Sequence, residues 1–157
     1  MKLDFEKWVD GQEVFNDAVN CFKHGKYRPA LMLSYIGFMF VLRDRFLNAD
    51  KPEPYPETLW MKHKSDLRDD SIWEKELTNL LFKNKKTNQP GNMTTEVAPF
   101  NIDQDIRSQI TYWKDRRNDC AHYKNNEITE SHVVAFWSFL RSKLPFITVE
   151  GGTKSVI

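Results

Sequence analysis

Cysteine is scarce in this chain of 157 residues, and so are the signals that cysteine usually carries. Cys21 and Cys120 stand about a hundred residues apart, with no CxxC pair and no histidine at metal-ligand spacing, so neither a disulfide framework nor a zinc site is expected. Both thiols are read as reduced and partly buried. Long apolar runs are missing too. The longest, "ALMLSYIGFMFVL", carries Ser34, Tyr35 and Gly37 and is followed at once by "RDR", which suits a buried helix better than the roughly 20 apolar residues of a membrane span. The opening "MKLDFEKWVDGQ" lacks the apolar core of a signal peptide. No membrane association and a cytoplasmic location are therefore expected. Charge of one sign is not in excess either. With 23 Lys and Arg against 22 Asp and Glu, the formal charge is +1, so any polyanion would have to be held by a local patch rather than drawn in by the whole molecule. There is no Gly-rich phosphate loop, no HExxH, no G-x-S-x-G and no zinc-knuckle spacing, which leaves nucleotide hydrolysis, zinc proteolysis and serine esterase chemistry without support. No metal or cofactor is expected.

The chain does carry apolar residues at helical period. Phe5, Trp8, Val9, Phe15, Ala18, Val19 and Phe22 recur at spacings of three, four and seven, which predicts an amphipathic helix ending near His24 at Gly25. Pro29 suits the first turn of a second helix that runs to about Asn48 and is apolar nearly all round. The stretch "KPEPYPE" (51–57) cannot be helical until after Pro56. A short helix from Glu57 to about Leu67 follows, then one capped by Asp70 or Ser71 through Phe82. "KKTNQPGNMTTEVAPF" (85–100) reads as a long loop. Asn101 is the expected cap of a helix over 102–125, Thr129 the cap of a last one, and Pro145 its end. No strand-period segment, repeat or low-complexity tract is present. The expected fold is all-α, a bundle of about five helices, with one domain over 1–145 and a tail over 146–157.

The stretch "YWKDRRNDCAHYKNNE" (112–127) is the chemically densest part of the chain. On an ideal helix with Trp113 at zero, Ile102, Ile106, Ile110 and Cys120 form the core-facing stripe and Arg117 falls inside it, at about 40°. An arginine there needs an anionic partner or an opening into a cleft. Asn118 and His122 share another face as an i,i+4 pair, with His122 about 140° from Arg117. Their convergence requires the long Arg side chain, a distorted helix near Cys120, or a second copy of the helix across a dimer axis. The plain alternative is a solvated helix end, with Arg117 snorkelling and His122 exposed.

The segment "RNDCAH", in the penultimate helix of an all-α chain, resembles the motif of the HEPN superfamily, whose ribonuclease members carry an Arg, a following polar residue and a His four to six positions on. The opening "FNDAVNCFKHGKYRPALMLSYIGFMFVLRD" is similar to the superfamily's first helical hairpin. Many HEPN toxins place a Tyr two residues after the His, whereas here Tyr123 follows directly and Lys124 takes that place. The resemblance implies a metal-independent endoribonuclease of toxin or antiphage defence, leaving 2′,3′-cyclic phosphate and 5′-OH ends. It also implies RNA as substrate, a homodimer with two Arg–His sets in one cleft, and an antitoxin or larger defence assembly as candidate partners. The catalytic set it implies is Arg117 on the phosphate, His122 for proton transfer and Asn118 for orientation of His122 or the ribose. Arg116, Tyr123 and Lys124 flank that set as RNA-binding candidates. The residue types fit the chemistry, since a histidine of ordinary pKa near 6.5 moves protons at neutral pH and an arginine grips phosphate oxygens in a planar fork. The alternative is a non-catalytic HEPN-like module that binds RNA, nucleotide or a partner protein.

Other polar residues carry weaker signals. "KNKK" (83–86) reads as a solvated helix end in preference to an RNA contact, Arg43, Asp44 and Arg45 as cleft-lining or mutually paired, and the five Trp as core in preference to stacking on bases. His24, His63 and His132 have no partner pattern and read as surface or interhelical residues.

Overall fold

The computed structural model describes residues 12–83, 98–122 and 126–149. The expected start of the first helix at Phe5 and nearly all of the 85–100 loop lie outside the described residues.

Helix α1 (Gln12–Lys23) ends where the sequence places its stop. Gly25 adopts φ 70°, Gly25 N–H donates to Phe22 and Lys26 N–H donates to Cys21. These two bonds satisfy carbonyls at the helix end in a Schellman arrangement, which only glycine enters without steric cost. Helix α2 (Tyr27–Leu47) then starts with Pro29 in its first turn, where a missing N–H leaves no bond unmade.

The chain divides into two compact units, the first formed by residues up to 41 with 104–145, the second by 42–103 with residues from 146. In the first, α1 and the leading part of α2 combine with α5 (Gln104–Cys120) and α6 (Glu130–Lys143). Tyr35 and Phe38 of α2, Trp113 of α5 and Phe136 and Phe139 of α6 form a continuous aromatic cluster in its core. A Cβ on Gly37 would lie 2.9 Å from the Phe15 ring, so α1 and α2 approach more closely than any other residue allows. One buried polar chain links α6 to α2: Trp137 Nε1–H donates to Ser34 Oγ at 2.9 Å, and that hydroxyl donates to the Ala30 carbonyl at 2.7 Å.

The second unit holds the rest of α2 with α3 (Glu57–Leu67), α4 (Trp73–Leu81), and the two-residue strands β1 (Phe100–Asn101) and β2 (Thr148–Val149), which pair antiparallel. Phe46 and Trp60 stack in its core with ring centroids 4.3 Å apart. The proline-rich segment folds around Lys51, whose ammonium donates to the carbonyls of Pro52, Glu53 and Tyr55. His63 is buried there, with Nε2 2.7 Å from the Tyr55 hydroxyl and Nδ1 3.0 Å from Glu76 Oε1.

The described chain is thus mostly helical, with six α-helices rather than about five and a minor strand pair. Several local expectations are revised. Asn101 belongs to β1, paired with Thr148, and α5 begins at Gln104 instead. Asp69, not Asp70 or Ser71, organises the entry to α4, its carboxylate accepting from the Ser71 N–H and hydroxyl. Residues 146–149, read as the start of a tail, bury Ile147 and Val149 and pair with β1. Thr129 does cap α6, and His132 completes a capping box by accepting from the Thr129 N–H at 3.0 Å. Trp60, Trp73, Trp113 and Trp137 are all buried. No helix among the described residues is long and apolar enough to cross a membrane.

Candidate functional site

The candidate site lies at the C-terminal end of α5, and its geometry turns on where that helix stops. The helix ends at Cys120 instead of continuing to about residue 125. Ala121 N–H donates to Asn118 and His122 N–H to Asp119, both at 3.1 Å in the tighter i to i−3 pattern. His122 therefore leaves the helix, and the i,i+4 pairing with Asn118 that an ideal helix predicts does not form. The helix is thus interrupted between Arg117 and His122, next to Cys120.

The helix end is contacted from far away in sequence. Arg28, in the first turn of α2, donates through Nη1 to the Asp119 carbonyl and through Nη2 to the Asn126 carbonyl at 3.2 Å. A cation at a helix C-terminus meets the negative end of the macrodipole, and its hydrogen bond adds to the one that the Asp119 carbonyl already accepts from the His122 N–H. Asp119 is buried, 7% exposed as a residue. It accepts from Arg116 Nε at 2.8 Å and from Asn126 Nδ2 at 3.1 Å, which compensates a carboxylate that burial alone would penalise.

Arg117 is half-buried, and its guanidinium lies over the ring of Tyr35, 5.7 Å from the centroid. Its position in the apolar stripe is thus met by an aromatic face. Arg117 Nη1 also approaches Asn118 Oδ1 at 3.4 Å, a long contact that turns the Asn118 amide toward the arginine. Asn118 and His122 are exposed. Arg116 differs from Arg117: it lies over the Tyr112 ring at 4.8 Å and is bound to Asp119. Hydrogen bonding to Tyr112, and then to Asp119, raises its pKa further above the ordinary arginine value. Tyr123 and Lys124, the other expected RNA-binding residues, lie outside the described residues.

Burial pushes the Cys120 thiol upward in pKa, and its Sγ–H donates to the Arg116 carbonyl at 3.5 Å. Cys21 and Cys120 are both free. Arg43, Asp44 and Arg45 have contacts within the second unit: Arg43 lies over Trp73, Arg45 donates to the Ile147 carbonyl at 2.9 Å, and Asp44 accepts from Asn48 at 2.9 Å. Among the described residues no group of three or more His, Cys, Asp and Glu side chains could hold a metal ion.

Two site residues escaped the sequence. Arg28 and Asp119 are 91 positions apart, and nothing local marks either as a partner. The one available hint was Asp119 itself, an acid two residues from Arg117 and beside the core-facing Cys120. No protein-family model, no curated protein and no solved structure matches the chain.

Proposed function

We propose that the chain is a HEPN-type endoribonuclease that cleaves RNA without a metal ion, acts as a homodimer, and serves in toxin or antiphage defence. The observation that carries this reading is the placement of one half-buried guanidinium, Arg117, and one exposed imidazole, His122, at the same end of α5, where the helix gives way to a turn. In the reaction, a histidine acting as base takes the proton from the ribose 2′-OH, and the freed oxygen attacks the adjacent phosphorus. The bond to the 5′ oxygen breaks, and that oxygen leaves with a proton from the acid. The products are a 2′,3′-cyclic phosphate and a 5′-OH. His122 fits either proton transfer. Arg117, permanently charged and held by Tyr35, fits the phosphate oxygens as charge builds on them. Two copies supply both a base and an acid, and Asn118 completes the polar surface beside Arg117.

A binding module is the second reading. Its support is the Arg117–Asn118 contact, which sets a guanidinium and an amide side by side as donors suited to holding a phosphate with no reaction. Purified protein incubated with total RNA in EDTA separates the two. Fragments with cyclic phosphate and 5′-OH ends are expected. Intact RNA that binds saturably would favour the module instead.

A further inference from the structure

We propose that Arg28 is a positioning residue for His122, an inference that rests on the ribonuclease reading of the site. A guanidinium presents several N–H groups in one rigid plane, so it can bridge two carbonyls whose spacing it then fixes. Arg28 does this between Asp119, three positions before His122, and Asn126, four positions after it. The Asp119 carbonyl is shared, because the backbone N–H of His122 donates to the same oxygen at 3.1 Å. A further bond joins the same two residues, from Asn126 Nδ2 to Asp119 Oδ2 at 3.1 Å. The carboxylate that receives it is itself anchored to α5 through Arg116 at 2.8 Å. The histidine's backbone is therefore held from α2 by way of one carbonyl, while its ring stays exposed at the surface.

Arg28 acts through main-chain oxygens and not on phosphate, which gives it a signature distinct from that of Arg117. Loss of it should misplace the proton-transfer group while leaving RNA affinity largely intact. A misplacement of that kind lowers turnover by about 10- to 100-fold.

The test uses the full chain with Arg28→Gln and Arg28→Lys. Two-dimensional NMR follows the His122 ring and the amides of residues 118–122 and 126, and steady-state cleavage of an RNA oligonucleotide in EDTA gives kcat and KM. In Arg28→Gln the His122 ring and neighbouring amide signals should move, kcat should fall and KM should stay within about twofold. Arg28→Lys, which keeps one charged donor, should lie between that variant and the parent in both measurements. If Arg28→Gln fails to fold, Arg28→Lys alone carries the comparison. Unmoved His122 signals would overturn the proposal, and so would a raised KM with unchanged kcat, which would make Arg28 an RNA contact. A parent that cuts no RNA, with a His122 ring that still depends on Arg28, would remove the ribonuclease reading and leave the positioning intact.

Discussion

The guanidinium of Arg117 lies over the ring of Tyr35, with Cζ 5.7 Å from the ring centroid. Tyr35 is 2% exposed and packed against Phe38 and Phe136, so the cation rests on a ring that is itself part of the core. An arrangement of this kind stabilises by only about 0.5–2 kcal/mol. Its larger effect is on direction, since it orients one planar donor group at the end of α5.

From that arrangement, Arg117→Ala and His122→Ala should each abolish EDTA-resistant RNA cleavage and leave stability within about 1–2 kcal/mol of the parent, because neither side chain fills the core. Arg117→Lys should recover little activity, since an ammonium offers neither the fork nor the flat face. Gel analysis of cleaved RNA, with urea unfolding run in parallel, decides the matter. Undiminished cleavage in both alanine variants would remove the site assignment.

His63 predicts a pH effect on stability with a definite sign. Burial first, and Lys83 after it, lower its pKa below the ordinary value of 6.5, while Glu76 opposes them. The neutral ring suits its surroundings, donating from Nδ1 to Glu76 and accepting from Tyr55 at Nε2. The unfolded chain takes up this proton more readily than the folded one, so ν for the unfolded state is the greater and stability rises with pH. The contribution is present above about pH 6.5 and is lost as pH falls through the lowered folded value. Urea midpoints measured from pH 7.5 downward should show the decline beginning near pH 6.5, and His63→Gln should flatten that part of the curve. A parent whose midpoint is constant between pH 7 and pH 5.5 contradicts the account.

These features differ in how far the sequence discloses them. Gly25, Pro29 and Thr129 act through bonds to residues within a few positions, so the boundaries they set were readable from composition and period. Most of the core stripe of α5 was readable too, because Ile106, Ile110, Trp113 and Cys120 are buried as the wheel places them, whereas Ile102 precedes the helix and is half-buried. The end of α5 was not. Nothing between Cys120 and Asn126 is a glycine or proline, and the stop involves an arginine 91 positions earlier. For the same reason Asn101 reads as a cap until its strand partner Thr148 is known. Local chemistry nominated Arg117 and His122, and long-range contacts determine how they are held.

Gly37 offers a test of packing in the first unit. Gly37→Ala should gain about 0.8–1.0 kcal/mol from helix propensity. The added Cβ would meet the Phe15 ring at 2.9 Å, and Phe15 is fully buried. Overpacking of that kind costs about 1–3 kcal/mol, so the variant should be less stable than the parent by up to about 2 kcal/mol. A rise in the urea midpoint would show that Phe15 gives way freely.

The last prediction concerns assembly. Ala121 is exposed immediately after α5, at the end of the helix that bears Arg117 and close in the chain to His122, while Cys120 beside it is buried. A metal-independent cleavage needs a base and an acid on opposite sides of one phosphate, and each chain supplies one candidate histidine at this site. A two-fold contact between the α5 ends would bring two Arg117–His122 sets to one RNA strand. The small side chain of Ala121 permits that approach. Such an interface is isologous, so a single bulky residue intrudes twice. If the proposed dimer forms in this way, Ala121→Trp should convert it to monomers and eliminate cleavage together, with the helical circular dichroism of the parent retained. Light scattering that found the parent monomeric at full ribonuclease activity would refute the dimer, and would require one chain alone to supply both proton transfers.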